Sequence, residues 1–162
     1  MKKLKYLVVH CTYTEPEFKV TKEQIEDWHT APKPIGRGWS RVGYSDLIQQ
    51  DGSIVMLHPY DSDNIVDAWE ITNGVKYYNT MSRHIVYAGG KLRGRPADTR
   101  TPYQKKTLEI YLKYYARRYE NIKILGHRDF PNVTKDCPCF DVGLFCLDIG
   151  IPEKNIYGYS AD

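Results

Sequence analysis

The chain has 162 residues, which at about 150 residues per domain is one domain with core enough to need no disulfide or metal staple. It is 41% hydrophobic and 27% charged, which excludes a disordered, collagen-like or coiled-coil chain. Lys and Arg total 23 against 20 Asp and Glu, and this net charge of +3 does not argue for nucleic acid but suits approach to an anionic polymer.

No apolar run approaches the roughly 18 residues of a membrane span. The first ten residues, Met1 to His10, begin basic. Their apolar stretch, Leu7 to Val9, is too short for a signal-peptide core, and no small-residue cleavage site follows. The expectation is a chain made in the cytoplasm and kept there unless something else exports it. Leu4 to His10 is predicted as a buried strand that ends at a histidine. Thr21-Lys22-Glu23-Gln24 forms a capping box, with Val20 and Ile25 as its hydrophobic staple. The helix it opens should run to about Thr30, with Ile25 and Trp28 inward, before Pro32 and Pro34 stop it.

Lys33 to Val42 reads as a loop. Tyr44 to Gln49 and Ser53 to Leu57 flank Asp51-Gly52, a hairpin signal. Asp61 to Asn79 has no clear period and is predicted as a long surface loop. His84 to Ala88 is a further strand, and Lys91 to Arg100 a polar loop. Thr101-Pro102-Tyr103-Gln104 starts a second helix, with proline at the first helical position and glutamine at the third. Leu108, Tyr111, Leu112, Tyr115 and Tyr119 recur at helical spacing, so this helix should be the longest. Ile122 to Leu125 is a strand leading into Gly126-His127, and a short helix is predicted around Val142 to Leu147. The order predicts an α/β fold: a single three-layer domain with a central mixed β-sheet flanked by helices.

His10 and His127 each fall just past a predicted strand, and functional sites gather at the carboxyl ends of strands in open α/β sheets. Cys137 follows His127 after a Pro-containing loop. Two imidazoles and one thiolate form a His2Cys set within zinc's range, with the fourth position open for water. An open zinc site acidifies its water and polarises a carbonyl, as amide hydrolysis requires. Each residue alone has a plainer reading. A strand-end histidine is usually a hydrogen-bonded structural group, and an isolated cysteine is usually buried and inert. Of the four cysteines, Cys137 and Cys139 are too close to pair easily, so a metal ligand or buried thiols fit better than a disulfide framework.

The local wording goes further. Val8-Val9-His10-Cys11-Thr12, Val42-Gly43-Tyr44, Tyr87-Ala88-Gly89-Gly90, Asp98-Thr99-Arg100-Thr101-Pro102, Gly126-His127-Arg128-Asp129 and Lys135-Asp136-Cys137-Pro138-Cys139-Phe140-Asp141 occur in that order. Together they resemble the zinc-dependent N-acetylmuramoyl-L-alanine amidases, the family of the amidase-type phage lysozymes and the peptidoglycan recognition proteins. The match covers about residues 5 to 141, within one domain of residues 1 to 162 whose end, 142 to 162, is read as a C-terminal tail.

The resemblance implies that His10, His127 and Cys137 hold one zinc ion, Zn2+, per chain. It places Tyr44 at the family's active-site tyrosine and Lys135 at the lysine found in the amidase-type phage lysozymes. Tyr44 could orient the water or donate to the tetrahedral intermediate, and Lys135 could stabilise the oxyanion. The implied substrate is peptidoglycan, cut between N-acetylmuramic acid and L-alanine. The expected setting is a phage endolysin, or a prophage or bacterial lysozyme-like enzyme, acting as a monomer on the wall after release from the cytoplasm. The alternatives are a non-catalytic peptidoglycan-binding module, or a closed structural zinc with Cys139 as fourth ligand. Cys11, which follows a ligand in a strand, should face the core, and Cys146 should pack there too. His29 and His58 have no evident partner. His84 stands where the family often has a small residue. Trp69 stands near where the family often has a substrate-contacting histidine, and is the candidate substrate-binding aromatic.

Overall fold

The computed structural model describes residues 1–159, and residues 160–162 lie outside them. In chain order the elements are β1 (Lys2–Lys3), β2 (Tyr6–Cys11), α1 (Lys22–Thr30), β3 (Asp46–Ile48), β4 (Ile54–Met56), β5 (Ile65–Val66), β6 (Ser82–Tyr87), β7 (Lys91–Leu92), β8 (Arg95–Pro96), α2 (Pro102–Arg118), β9 (Lys123–Gly126) and α3 (Val142–Asp148). The main sheet has the order β4-β3-β6-β2-β9. Strand β2 runs parallel to both β6 and β9, β3 runs parallel to β6, and only the β3–β4 hairpin is antiparallel. Helix α1 covers one face, while α2 and α3 cover the other, which is the expected three-layer mixed-sheet domain.

Alternation along the strands sorts the residues between layers. On β2, Leu7, Val9 and Cys11 join Leu108, Leu112 and Tyr115 of α2 in the larger core, while Val8 and His10 face the other way. On α1's side, Val20 and Ile25 pack with Val42, Leu47 and Val86, as a hydrophobic staple requires. Both capping boxes form. Gln104 does more than cap α2: its buried Nε2 donates to Ile48 O and Ala88 O at 3.2 and 2.9 Å, locking the helix start to β3 and the end of β6.

Three expectations need correction. On α1 the second inward residue is His29, one turn from Ile25; Trp28 is 36% exposed and packs against Phe18 at the surface. Lys91 to Arg100 holds a two-residue hairpin, β7–β8, turning at Gly94 with φ 75°. The first half of the stretch 61–79 is anchored to the fold. Strand β5 pairs with β1, and fully buried Glu70 accepts from Asp61 N (2.8 Å), Asp67 N (2.7 Å) and Arg83 Nη2 (3.3 Å). The chain beyond Asp148 is also part of the fold: Ile151 and Ile156 are buried, and Asn155 donates to Glu120 O and Ile122 O.

The Glu70–Arg83 pair lies wholly inside the protein. Glu70→Leu leaves the guanidinium buried without its counter-ion and is expected to cost about 3–5 kcal/mol in urea unfolding. A loss within the roughly 1 kcal/mol of an exposed pair would show that water reaches the site.

Candidate metal centre and active-site cleft

His10 is the next-to-last residue of the inner strand β2, and His127 follows β9, its neighbour in the sheet. Their rings lie 4.7 Å apart between centroids. Cys137 returns beside them because Arg128 N donates to Cys137 O at 2.8 Å, tying the loop to the histidine turn. That approach needs Gly126, since a Cβ there would stand 2.7 Å from Pro138 Cδ. One donor atom from each of His10, His127 and Cys137 lies within 4.8 Å of the others, and this is the one such group among the described residues.

This donor set fits zinc. Zn–N bonds of about 2.0 Å and Zn–S bonds of about 2.3 Å in a tetrahedron put nitrogen and sulfur somewhat under 4 Å apart. His10 Nδ1 and Cys137 Sγ are 3.8 Å apart. Burial holds His10 below the usual imidazole range, in the neutral form that ligates. The neighbouring Cys11 thiol, with His10 and His127, holds the Cys137 thiol well below its ordinary range, toward the ligating thiolate. Cys11 N also donates to Cys137 Sγ at 3.3 Å. Cys11 itself is buried in the larger core, as strand alternation requires. There its Sγ meets Cys139 Sγ at 3.7 Å, so Cys139 turns into the core rather than toward the three donors. Cys146 is fully buried and, like the other three, unpaired in any disulfide.

His127 and Cys137 line a cleft of about 740 Å3 whose wall includes Tyr44, Lys135, Trp39, Arg37, Asn73 and Lys76, with His10 buried behind it. Tyr44 precedes β3 rather than beginning it, and its ring lies 4.9 Å from His10. Burial raises its phenol far above the ordinary range, so it stays protonated and can donate. Lys135 lies exposed at the cleft wall. Trp69 is 49% exposed and outside the cleft lining; the neighbouring wall is built by Asn73, Gly74 and Lys76. Asn73 N donates to Val42 O, and Arg41 Nη1 donates to Ala68 O and Ile71 O, which joins the two loops forming the walls.

Sequence reasoning left His29 and His58 without partners. His58 Nε2 lies 2.6 Å from Trp69 O at the surface. His29 supports the site: its Nδ1 accepts from Gly43 N at 3.1 Å, and its ring packs on Tyr44 and Trp39. Burial, helped by Arg37, lowers its pKa to about 4. The folded state therefore resists a proton that the unfolded chain accepts near pH 6.5. Stability from this group is full above pH 6.5 and declines as pH falls toward 4. His29→Asn keeps an acceptor but cannot be protonated, so its Tm should fall less between pH 7 and pH 4.5 than that of the parent. Parallel Tm–pH curves would refute the assignment.

A mixed sheet with an open set of two imidazoles and one thiolate at its strand ends defines a class of metal-dependent hydrolase sites. Residues 1–140 match the family model described as N-acetylmuramoyl-L-alanine amidase. The chain belongs to that family, and it is an amidase. It is 30% identical over 135 residues to an endolysin of Enterobacteria phage K11, covering 83% of this chain and 80% of that one. It is 28% identical over 137 residues to the endolysin of Klebsiella phage KP32, covering 84% and 81%. In fold it resembles the N-acetylmuramoyl-L-alanine amidase LysC from Clostridium intestinale, with a TM-score of 0.70 at 20% identity over 93% of this chain and 87% of that one. It is also similar in fold to a bumblebee peptidoglycan recognition protein, PGRP-SA, with a TM-score of 0.67 at 16% identity over 99% and 87%.

Proposed function

We propose that this chain works as a zinc-dependent endolysin, hydrolysing the amide between N-acetylmuramic acid and L-alanine in peptidoglycan. The reading is carried by one observation: three donors distant in sequence converge at the cleft beside Tyr44. Family membership and the phage endolysins among its relatives support it.

His10, His127 and Cys137 would hold the ion, which when bound supplies a Lewis acid and lowers the pKa of water. In the net reaction water adds its hydroxyl to the lactyl carbonyl carbon, the C–N bond breaks, and the alanine nitrogen leaves with a proton. The neutral phenol of Tyr44 would donate a hydrogen bond to an oxygen bearing charge. Lys135 brings a cation to the same cleft, where an oxyanion develops. Arg37 and Lys76 add positive charge to the wall, with Asp136 the one acid among the lining residues, and this favours the approach of acidic stem peptides. Among the described residues no helix is long and apolar enough to cross a membrane. The chain is proposed to act as a monomer on the wall.

The test is clearing of purified peptidoglycan with identification of the new ends. Free N-terminal alanine should appear, vanish with chelator and return with added zinc. Binding to the wall without new ends would favour a non-catalytic module instead.

A further inference from the structure

His84 lies on β6 diagonally across from His10, because the register pairs Val8 with His84 and His10 with Val86. Both imidazoles therefore emerge on one face of the sheet, and His10 Nε2 meets His84 Nδ1 at 3.0 Å. The other nitrogen of His10, Nδ1, faces Cys137 Sγ. Only one arrangement of protons serves a metal ligand there. His10 Nδ1 must offer its lone pair, so its Nε2 carries the hydrogen and His84 Nδ1 accepts it. His84 must then carry its own hydrogen on Nε2, and that atom is buried with no partner.

Two features of the fold keep this contact at a cost. A buried N–H left unpaired loses its hydration with no hydrogen bond in return. The backbone of Gly74 lies so close over the His84 ring that any Cβ at position 74 would collide with it. Position 84 is fully buried, and an apolar side chain there would avoid the unpaired group altogether.

We propose that His84 is a positioning residue that fixes the tautomer and ring orientation of His10, so that Nδ1 presents its lone pair to the metal. The part usually taken by a carboxylate or carbonyl behind a ligating imidazole is taken here by a second imidazole. Gly74 supplies the clearance, and it also lines the cleft, so the wall and the metal ligand share one packed contact. This inference rests on the zinc reading of His10, His127 and Cys137.

The test measures metal binding without substrate. Zinc affinity is determined by competition with a chelating dye for the unsubstituted chain, His84→Leu and His84→Asn. Cobalt(II) absorption reports the ligand field of each. His84→Leu should lose about 10–100-fold in zinc affinity. His84→Asn places a side-chain oxygen near the lost Nδ1 and should recover most of that loss. Two-bond 1H–15N correlation of the zinc-loaded, unsubstituted chain should show both His10 and His84 carrying hydrogen on Nε2, with His10 bound through Nδ1. That spectrum decides the matter even if His84→Leu fails to fold. His10 bound through Nε2, hydrogen on His84 Nδ1, or equal zinc affinity in a folded His84→Leu would overturn the proposal. Failure of the unsubstituted chain to bind zinc at all would instead overturn the metal reading on which it stands.

Discussion

Cys137→Ala is expected to abolish amidase activity and zinc content together. The substitution removes one of three donors, leaving two neutral imidazoles and no anionic ligand at the centre. Loss of even an outer partner of a ligand typically costs about 10–100-fold in affinity, so loss of a direct ligand should exceed that. The fold should survive, because Cys137 lies at the edge of the core while Cys11, Cys139 and Cys146 are inside it. Metal content after dialysis, release of N-terminal alanine and the thermal midpoint should be measured on one preparation. Full zinc and full rate would refute the ligand assignment. Cys139→Ala is the matched control: its thiol meets Cys11, so zinc content should stay near one per chain. If Cys139→Ala also emptied the site, the centre would be a closed four-ligand site of structural type.

The second large effect is expected at the cleft residues that touch no metal. Lys135→Ala and Tyr44→Phe should each lower kcat by about 10²–10³, the range for removal of one oxyanion donor, while leaving zinc content unchanged. The two should separate in other respects. Lys135 is exposed, so its replacement should leave the thermal midpoint unmoved. Tyr44 packs between His10 and His29, and phenylalanine keeps that packing while removing the hydroxyl. A rise in KM alone, or a kcat within a few-fold of the parent, would place either residue outside the chemistry.

Much of this molecule is legible in its residues. Both helices behind the capping boxes begin where the Thr and Gln pairs predict, because a cap is satisfied within four residues and needs no distant partner. The α2 stripe from Leu108 to Tyr119 is buried as its spacing predicts. The opposite facing of His10 and Cys11 follows from strand alternation alone. The inward choice on α1 was less legible, since Trp28 and His29 both lie within a turn of Ile25 and only the packed partners choose between them.

Other features come from contacts that no local pattern encodes. Nothing in the local sequence pairs Glu70 with Arg83, and the fold buries them together. His29 gains its role from Gly43, fourteen residues away, and His84 from His10, seventy-four away. The sequence by itself determined the order of the main strands and helices, the caps, the core stripe of α2 and, through its resemblance to a family, the three candidate ligands. Only the tertiary structure decided that their donor atoms meet, that Cys139 turns away, that Trp69 stands outside the cleft and that a second imidazole backs the first. Helix signals repeat within one or two turns, whereas these contacts exist only once the parallel strands have taken their places and register in the sheet.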